Sequence, residues 1–297
     1  MLLNLITWNI NFIHDNWLER INTINKILEK EVETCDIIAL QEATLPFSDA
    51  LTDIYTFLKK TDINYVGGTL VERNFIYKYI FETFPKYKKY IISAFEYFMN
   101  KLLYICTWVY SIYGKYILNL YFNHTYIFGL LCIICPPIFA ANWLFFGMLT
   151  VINDKIQCII KLKYIKNRTI QYTTFKYNKK NVIFVNVHLS PGENKTEKRL
   201  IEIKEILNFI NDYDVVILAG DFNDKIDSNI YSYLTQNNYK SAVKSFVGEE
   251  LNTFPSEEPV KCLDYVWVKG DVDIKNAVIF GSANASDHKG IKVTLDI

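Results

Sequence analysis

Six short motifs carry residues able to do hydrolytic chemistry. TWN supplies Asn9, LQE supplies Glu42, HLS supplies His188, and GDFN supplies Asp221 and Asn223. LDY supplies Asp264, and SDH supplies Asp287 and His288. Each is common alone: a lone carboxylate at the end of a buried strand is more often a cap or an ion-pair partner than a ligand. What sets this series apart is shared position, at the ends of hydrophobic, β-rich runs. Strands of one sheet that end together bring their tips into one cleft. The chain has no His/Cys cluster of zinc spacing, so strand-end carboxylate suits a hard, oxygen-liganded cation such as Mg²⁺.

The elements that must position these residues alternate in type. LLNLITWNI reads as a buried strand, and from Trp17 to about Lys30 apolar residues recur at Leu18, Ile21, Ile24, Ile27 and Leu28 with helical spacing. DIIALQE follows as a second strand ending on a carboxylate. The second half repeats this grammar. NVIFVNVHLS is a strand, KRLIEIKEILNFI an amphipathic helix with apolar positions 200, 203, 206, 207 and 210, and DVVILAGDFND another strand. LDYVWVKG and GIKVTLDI close the chain as strands. The alternation implies an α/β architecture with polar residues collected at strand ends.

Between these halves the composition changes. From Tyr116 to Asn153 there is no Asp, Glu, Lys or Arg. The stretch TYIFGLLCIICPPIFAANWLFFGMLTVI exceeds the roughly 18 apolar residues of a membrane span. LLYICTWVYSIY, before Lys115, is a weaker candidate, because a lysine held mid-bilayer costs about 2.5–3.5 kcal/mol. The alternative is an aromatic helical pair buried against the catalytic domain. Asn9 and Glu42 precede this segment, and His188, Asp221 and His288 follow it. If all meet in one site, both ends of the insert lie on the same side of any membrane, which excludes a single span. A two-helix hairpin, a re-entrant segment or an interfacial pair over residues 100–150 remains. Basic flanks (Lys86, Lys88, Lys89 and Lys101 before, Lys155, Lys161 and Lys163 after) then place the catalytic domain in the cytosol.

Composition bounds the partners. Of 297 residues, 51% are hydrophobic and 22% charged, enough to bury a core. The 32 basic residues balance 32 acidic ones, so no global electrostatic grip on nucleic acid is indicated. Arg20, Arg73, Arg168 and Arg199 are the only arginines, few for a binder of phosphate polymer. No secretory signal precedes the first strand, and the six cysteines read as reduced intracellular thiols. Cys132 and Cys135 have the gap of a metal clip, but stand alone in an apolar run and read as packing residues.

The ordered series TWN, LQE, HLS, GDFN, LDY, SDH resembles that of the endonuclease/exonuclease/phosphatase superfamily, the DNase-I-like folds. The resemblance spans residues 1–297 as one catalytic domain, apart from an apolar insert at roughly 70–145. It implies a four-layer sandwich of two mainly antiparallel sheets flanked by helices, with the hydrophobic helical insert within it. It implies a Mg²⁺-dependent phosphodiesterase, with Mn²⁺ as an alternative ion. Glu42 would bind the metal directly, Asp287 would complete the metal-side shell, and Asn9 would hold the metal or the scissile phosphate. His288 would take a proton from the attacking water or contact the phosphate, with Asp264 orienting it. Asp221 and Asn223 would position the nucleophile and the transition-state oxygens. His188 would donate to a non-bridging oxygen or assist the leaving group. Whether Asp221 or the Asp264–His288 pair is the general base stays open. A purely structural reading would need all eight residues at core strand ends by coincidence.

Other polar residues read as bystanders: His14 as an exposed loop histidine, His124 as a loop or interfacial residue, Asn123 as a chance sequon. Arg199 could reach phosphate or form a surface salt bridge with Glu202. Two substrate classes remain: a phospholipid headgroup, favoured by the insert and the neutral charge, and a nucleic acid, as for a nuclease or repair phosphodiesterase. A non-enzymatic membrane protein retaining the fold is the third reading, and the presence of Glu42, Asp221 and His288 speaks against it.

Overall fold

The computed structural model describes residues 2–11, 17–32, 34–43, 63–67, 147–153, 155–165 and 168–297. Strand β1 (Leu2–Asn9), helix α1 (Trp17–Val32) and strand β2 (Ile37–Ala43) come first, followed by β3 (Ile63–Gly67) and β4 (Gly147–Asn153). Next are β5 (Ile159–Ile165), β6 (Arg168–Tyr177), β7 (Lys180–His188), helix α2 (Thr196–Phe209) and β8 (Val215–Asp221). Helix α3 (Asn229–Gln236), the two-residue β9 (Lys240–Ser241), helix α4 (Ala242–Val247), β10 (Asp264–Gly270), β11 (Asp273–Phe280) and β12 (Gly290–Asp296) complete the order.

The strands form two six-stranded sheets, ordered β11-β12-β1-β2-β4-β3 and β5-β6-β7-β8-β10-β9. Each contains one parallel pair, β1 with β2 and β7 with β8, and its other pairings are antiparallel. Both parallel pairs are joined through a helix, as parallel strands require. These are the strand–helix–strand units the sequence displays.

Side-chain alternation then sorts the layers. Leu3 and Leu5 of β1, Ile37 and Ala39 of β2, Val182 and Phe184 of β7, and Val215 and Ile217 of β8 share the core between the sheets. The alternate residues Ile6, Trp8, Ile38 and Leu40 pack outward with Ile24 and Leu28 of α1. Ile183, Val185, Val216 and Leu218 pack outward with Ile203 and Ile206 of α2 and with Ile230 and Leu234 of α3. Helix, sheet, sheet, helix: the fold is a four-layer α/β sandwich of two mainly antiparallel sheets.

One strand lies where the sequence placed a membrane segment. GMLTVIN, counted with the apolar run, is β4, paired with both β2 and β3, with Met148, Thr150, Val151 and Ile152 buried. Its lack of charge reflects burial between neighbouring strands, so an insert can extend no further than residue 146. The remainder of the insert, His14, His124, Asn123, Cys132 and Cys135 lie outside the described residues. Among the described residues no helix is long and apolar enough to cross a membrane. The thiols of Cys35, Cys158 and Cys262 are free.

Candidate active site

Parallel strands that end together open a crevice at their carboxyl ends. Asn9 closes β1, His188 closes β7 and Asp221 closes β8, with Glu42 one residue short of the end of β2. His188 and Asp221 stand opposite each other in the parallel register. The antiparallel β10 starts at the same rim, with Asp264 opposite Asp221. His288 lies just ahead of β12, which runs antiparallel to β1. Six of the eight polar residues thus belong to one rim drawn from both sheets, and Asn223 and Asp287 are the chain neighbours of this group, two residues after Asp221 and one before His288.

Glu42 reaches the cleft through a break in strand periodicity. Gln41 faces inward, so the next residue should face out. The pairing of β2 with β4 shifts register between Gln41 and Ala43, and Glu42 takes φ 50°. A left-handed non-glycine residue at a bulge is strained, and bulges re-aim side chains beside functional sites. The Glu42 carboxylate accepts the Asn9 amide at 3.3 Å and lies 3.7 Å from Nε2 of His188.

Asn9 spans the two sheets. Its Nδ2 donates to Asp221 Oδ2 at 3.0 Å as well as to Glu42, and its Oδ1 accepts the backbone N–H of Asn11 at 3.0 Å. The amide nitrogen therefore faces the carboxylates. Asp221 Oδ1 accepts the backbone N–H of Asn223 at 2.7 Å, and His188 Nε2 stands 3.8 Å from Asp221 Oδ2. Asn223, at φ 53°, donates its Nδ2 to Leu189 O and Asp221 Oδ2. On the far side, Asp264 Oδ2 lies 2.8 Å from His288 Nδ1 and accepts Thr253 Oγ1 at 2.6 Å. Phe254 covers the His288 ring at 4.9 Å between centroids.

The charges follow from this crowding. Burial, then the nearby Asp264, push Asp221 up to about 7, against the pull of His288, Asn9 and Asn223. Burial works against a charged His288, yet Asp264, with Asp221 and Asp287 behind it, overrides that and lifts the imidazole to about 10. Burial raises Glu42, and the Asp287 charge adds to it, while Asn9, His288 and Arg168 pull it down.

Several supports were not legible as site residues. Ser286 donates to Asn9 O at 2.7 Å and accepts the N–H of His288, tying the SDH motif to the tip of β1. Arg20, from α1, donates to Ile10 O, Asn11 O and Ala285 O, clamping the same two segments. Thr253 had no signal at all, being eleven residues upstream of its partner Asp264. Arg199 neither reaches phosphate nor pairs with Glu202 on the surface. It is buried at 2% exposure, bonded to Asp224 at 3.0 Å, to the carbonyls of Ser190 and Gly192, and to Thr196. Glu202 is itself buried and accepts the N–H and hydroxyl of Ser190. The pair therefore braces the loops that follow His188 and Asp221.

A rim of carboxylates, amides and a carboxylate-backed histidine on a two-sheet sandwich is the build of a hydrolytic enzyme. The sequence profile of the Endonuclease/Exonuclease/phosphatase family matches residues 6–288, and the chain belongs to that family of phosphoester hydrolases. No curated protein matches its sequence. Solved structures do resemble it. A humanized D. rerio TDP2 carrying 14 mutations has 13% identity and a TM-score of 0.61, with 100% of this chain and 99% of that one covered. D. rerio TDP2 complexed with a single strand DNA product gives 12% and 0.60 at the same coverage. An endonuclease/exonuclease/phosphatase from Bacteroides vulgatus gives 15% and 0.60, again over 100% and 99%. At these identities the likeness is one of fold.

Among the described residues one group of three has ligand atoms close enough to hold a metal ion: Asp221, Asp264 and His288, within 4.8 Å of one another. Asp264 Oδ1 is buried there without a hydrogen-bond partner among the described residues. All three side chains are nearly inaccessible. Glu42 offers the more open carboxylate, its side chain 24% exposed, with the charge of Asp287 close enough to be felt.

Proposed function

We propose that this chain is a divalent-metal-dependent phosphodiesterase whose site comprises Asn9, Glu42, His188, Asp221, Asn223, Asp264, Asp287 and His288. The observation that carries this reading is the Asn9 amide bridging Glu42 of one sheet to Asp221 of the other. It makes the inter-sheet rim one site rather than two.

The metal fits best at Glu42 with Asp287. Mg²⁺ and Mn²⁺ favour oxygen donors, and Mg²⁺ gives up its waters reluctantly, which suits the partly exposed Glu42 carboxylate better than the sealed Asp221–Asp264–His288 group. Two crowded acids also gain most from a cation. When bound, the ion supplies charge stabilisation for the phosphoryl oxygens and acidifies water. Asn9, whose nitrogen commits both hydrogens to Glu42 and Asp221, orients these two carboxylates rather than binding the metal, and meets a phosphate oxygen only where substrate takes over one of those bonds. Asp264 holds the proton of His288 on Nδ1, leaving Nε2 to meet the substrate. Asp221, braced by Asn223, accepts the proton of the attacking water, and His188 donates toward the leaving oxygen.

The phospholipid-headgroup substrate class is supported by the apolar run before Gly147, which we assign to membrane attachment with the catalytic domain in the cytosol. A nucleic-acid substrate is the second reading, supported by the TDP2 neighbour holding a single strand DNA product. Purified chain should be assayed with Mg²⁺ on sphingomyelin, phosphoinositides, single-stranded DNA, duplex DNA and RNA. Hydrolysis of at least one, abolished by EDTA and restored by Mg²⁺ or Mn²⁺, is expected. Full activity in chelator defeats the metal assignment, and silence on every substrate defeats the reaction. Carbonate-resistant membrane association, lost when residues 100–146 are replaced by a short Gly/Ser linker, tests the attachment.

A further inference from the structure

The core between the sheets is not apolar throughout. On β1 the inward face reads Leu3, Leu5, Thr7, Asn9, on β2 Ile37, Ala39, Gln41, and on β7 Val182, Phe184, Asn186, His188. Each strand turns polar one inward step before its end. That step is two residues, about 6.6 Å along a strand. Thr7, Gln41, Gln171 and Asn186 are 0% exposed and Thr150 is 1% exposed.

These side chains bond across the gap between the sheets. Gln41 Nε2 donates to Asn186 Oδ1 at 2.8 Å and to Thr7 Oγ1 at 3.0 Å. Asn186 Nδ2 donates back to Leu40 O at 3.3 Å and to Thr150 Oγ1 at 3.2 Å. Thr150 Oγ1 donates to Gln171 Oε1 at 2.6 Å, and Gln171 Nε2 to Met148 O at 2.7 Å. Strands β1, β2 and β4 are thereby fastened to β6 and β7.

We infer that this buried polar crosslink, Thr7–Gln41–Asn186–Thr150–Gln171, sets the spacing between the Asn9/Glu42 and His188/Asp221 halves of the site. Its members are positioning residues for the hydrolysis proposed above, on which the kinetic part of the inference rests. Apolar contacts between sheets tolerate sliding, because their energy depends on area and hardly on direction. Hydrogen bonds weaken steeply with distance and angle. A buried polar network is often no more stabilising than well-packed apolar residues. What it adds here is registry, directly beneath a site assembled from both sheets. A misplacement of about 1 Å at a catalytic group costs on the order of a hundredfold in rate.

Thr150 gives the sharpest test, since Thr150→Val keeps the shape and deletes both hydroxyl bonds. Thr150→Val is expected to lower kcat roughly 10- to 100-fold, with KM changed less than about threefold. Thr150→Ser should keep most of kcat. The pair Gln41→Met with Asn186→Leu should fold with little change in Tm and show the same kcat loss. Full kcat in Thr150→Val overturns the inference even where the double variant fails to fold. Crystal structures of the wild-type and Thr150→Val chains separate this inference from the reading beneath it. The Asn9–Asp221 contact of 3.0 Å should lengthen or break in the variant. An unchanged contact overturns the inference, whereas a wild-type chain inactive on every phosphodiester overturns the proposed function and leaves that contact as the test.

Discussion

Asp264 holds Nδ1 of His288 at 2.8 Å, although 24 residues of chain separate them. The two arrive from different sheets, on β10 and just before β12, and Thr253 and Phe254 hold one from each side. A buried imidazole bound this way has its tautomer fixed, so the pair acts as one unit.

Residues that work as a unit give non-additive losses. Asp264→Asn and His288→Ala should each lower kcat by about 10²–10⁴. The double variant should be little slower than His288→Ala alone. Multiplicative losses in steady-state kinetics would assign Asp264 a separate task.

The metal assignment predicts a contrast between two carboxylates. Glu42→Gln should weaken Mn²⁺ binding at least about tenfold by calorimetry, whereas Asp264→Asn should leave it within about twofold, because only Glu42 is open enough to retain hydrated metal. The reverse pattern would move the ion into the Asp221–Asp264–His288 group.

Asp221 carries a signature in pH. Its folded value of about 7 lies above the ordinary 3.8, so the fold favours the protonated form. The associated stability is complete below about pH 4 and is lost as pH rises through 7. In metal-free buffer the carboxyl ¹³C resonance of Asp221 should titrate near 7, and Tm should fall across the same interval. Titration near 4 would show that water reaches the carboxylate.

Gly220 admits no substitute. At φ 147°, a Cβ there would stand 1.8 Å from Val187 O, where β7 and β8 lie side by side. Gly220→Ala should cost about 3 kcal/mol or more by denaturant unfolding, the upper end for a single substitution. A loss below about 1 kcal/mol would mean the strands can part without disturbing the rim.

Arg199 and Asp224 form a buried pair at 3.0 Å that ties the loop after His188 to the loop after Asp221. Removing one partner strands a charge, so Arg199→Met should destabilise by about 3–5 kcal/mol. Adding Asp224→Leu should recover much of that. If Arg199→Met alone is neutral, the brace carries no load and the loops are held elsewhere.

Sequence alone determined the parts of this protein that are local. A strand that ends on a carboxylate and a helix with apolar residues every third or fourth position are written in a few adjacent residues, so both strand–helix–strand units and all six motifs were legible. The antiparallel strands were harder, because their partners lie far along the chain. GMLTVIN shows why: burial within a sheet and burial in lipid select the same apolar letters, and only pairing with β2 and β3 distinguishes them. The tertiary structure decided everything that depends on two distant segments meeting. The bulge that turns Glu42 inward, the Asn9 amide between two sheets, Thr253 behind Asp264, and Arg199 drawn into the core are such cases. Local periodicity fixes which face of a strand a residue occupies, but the partner across the gap is set by how the two sheets pack, and that is a property of the whole chain.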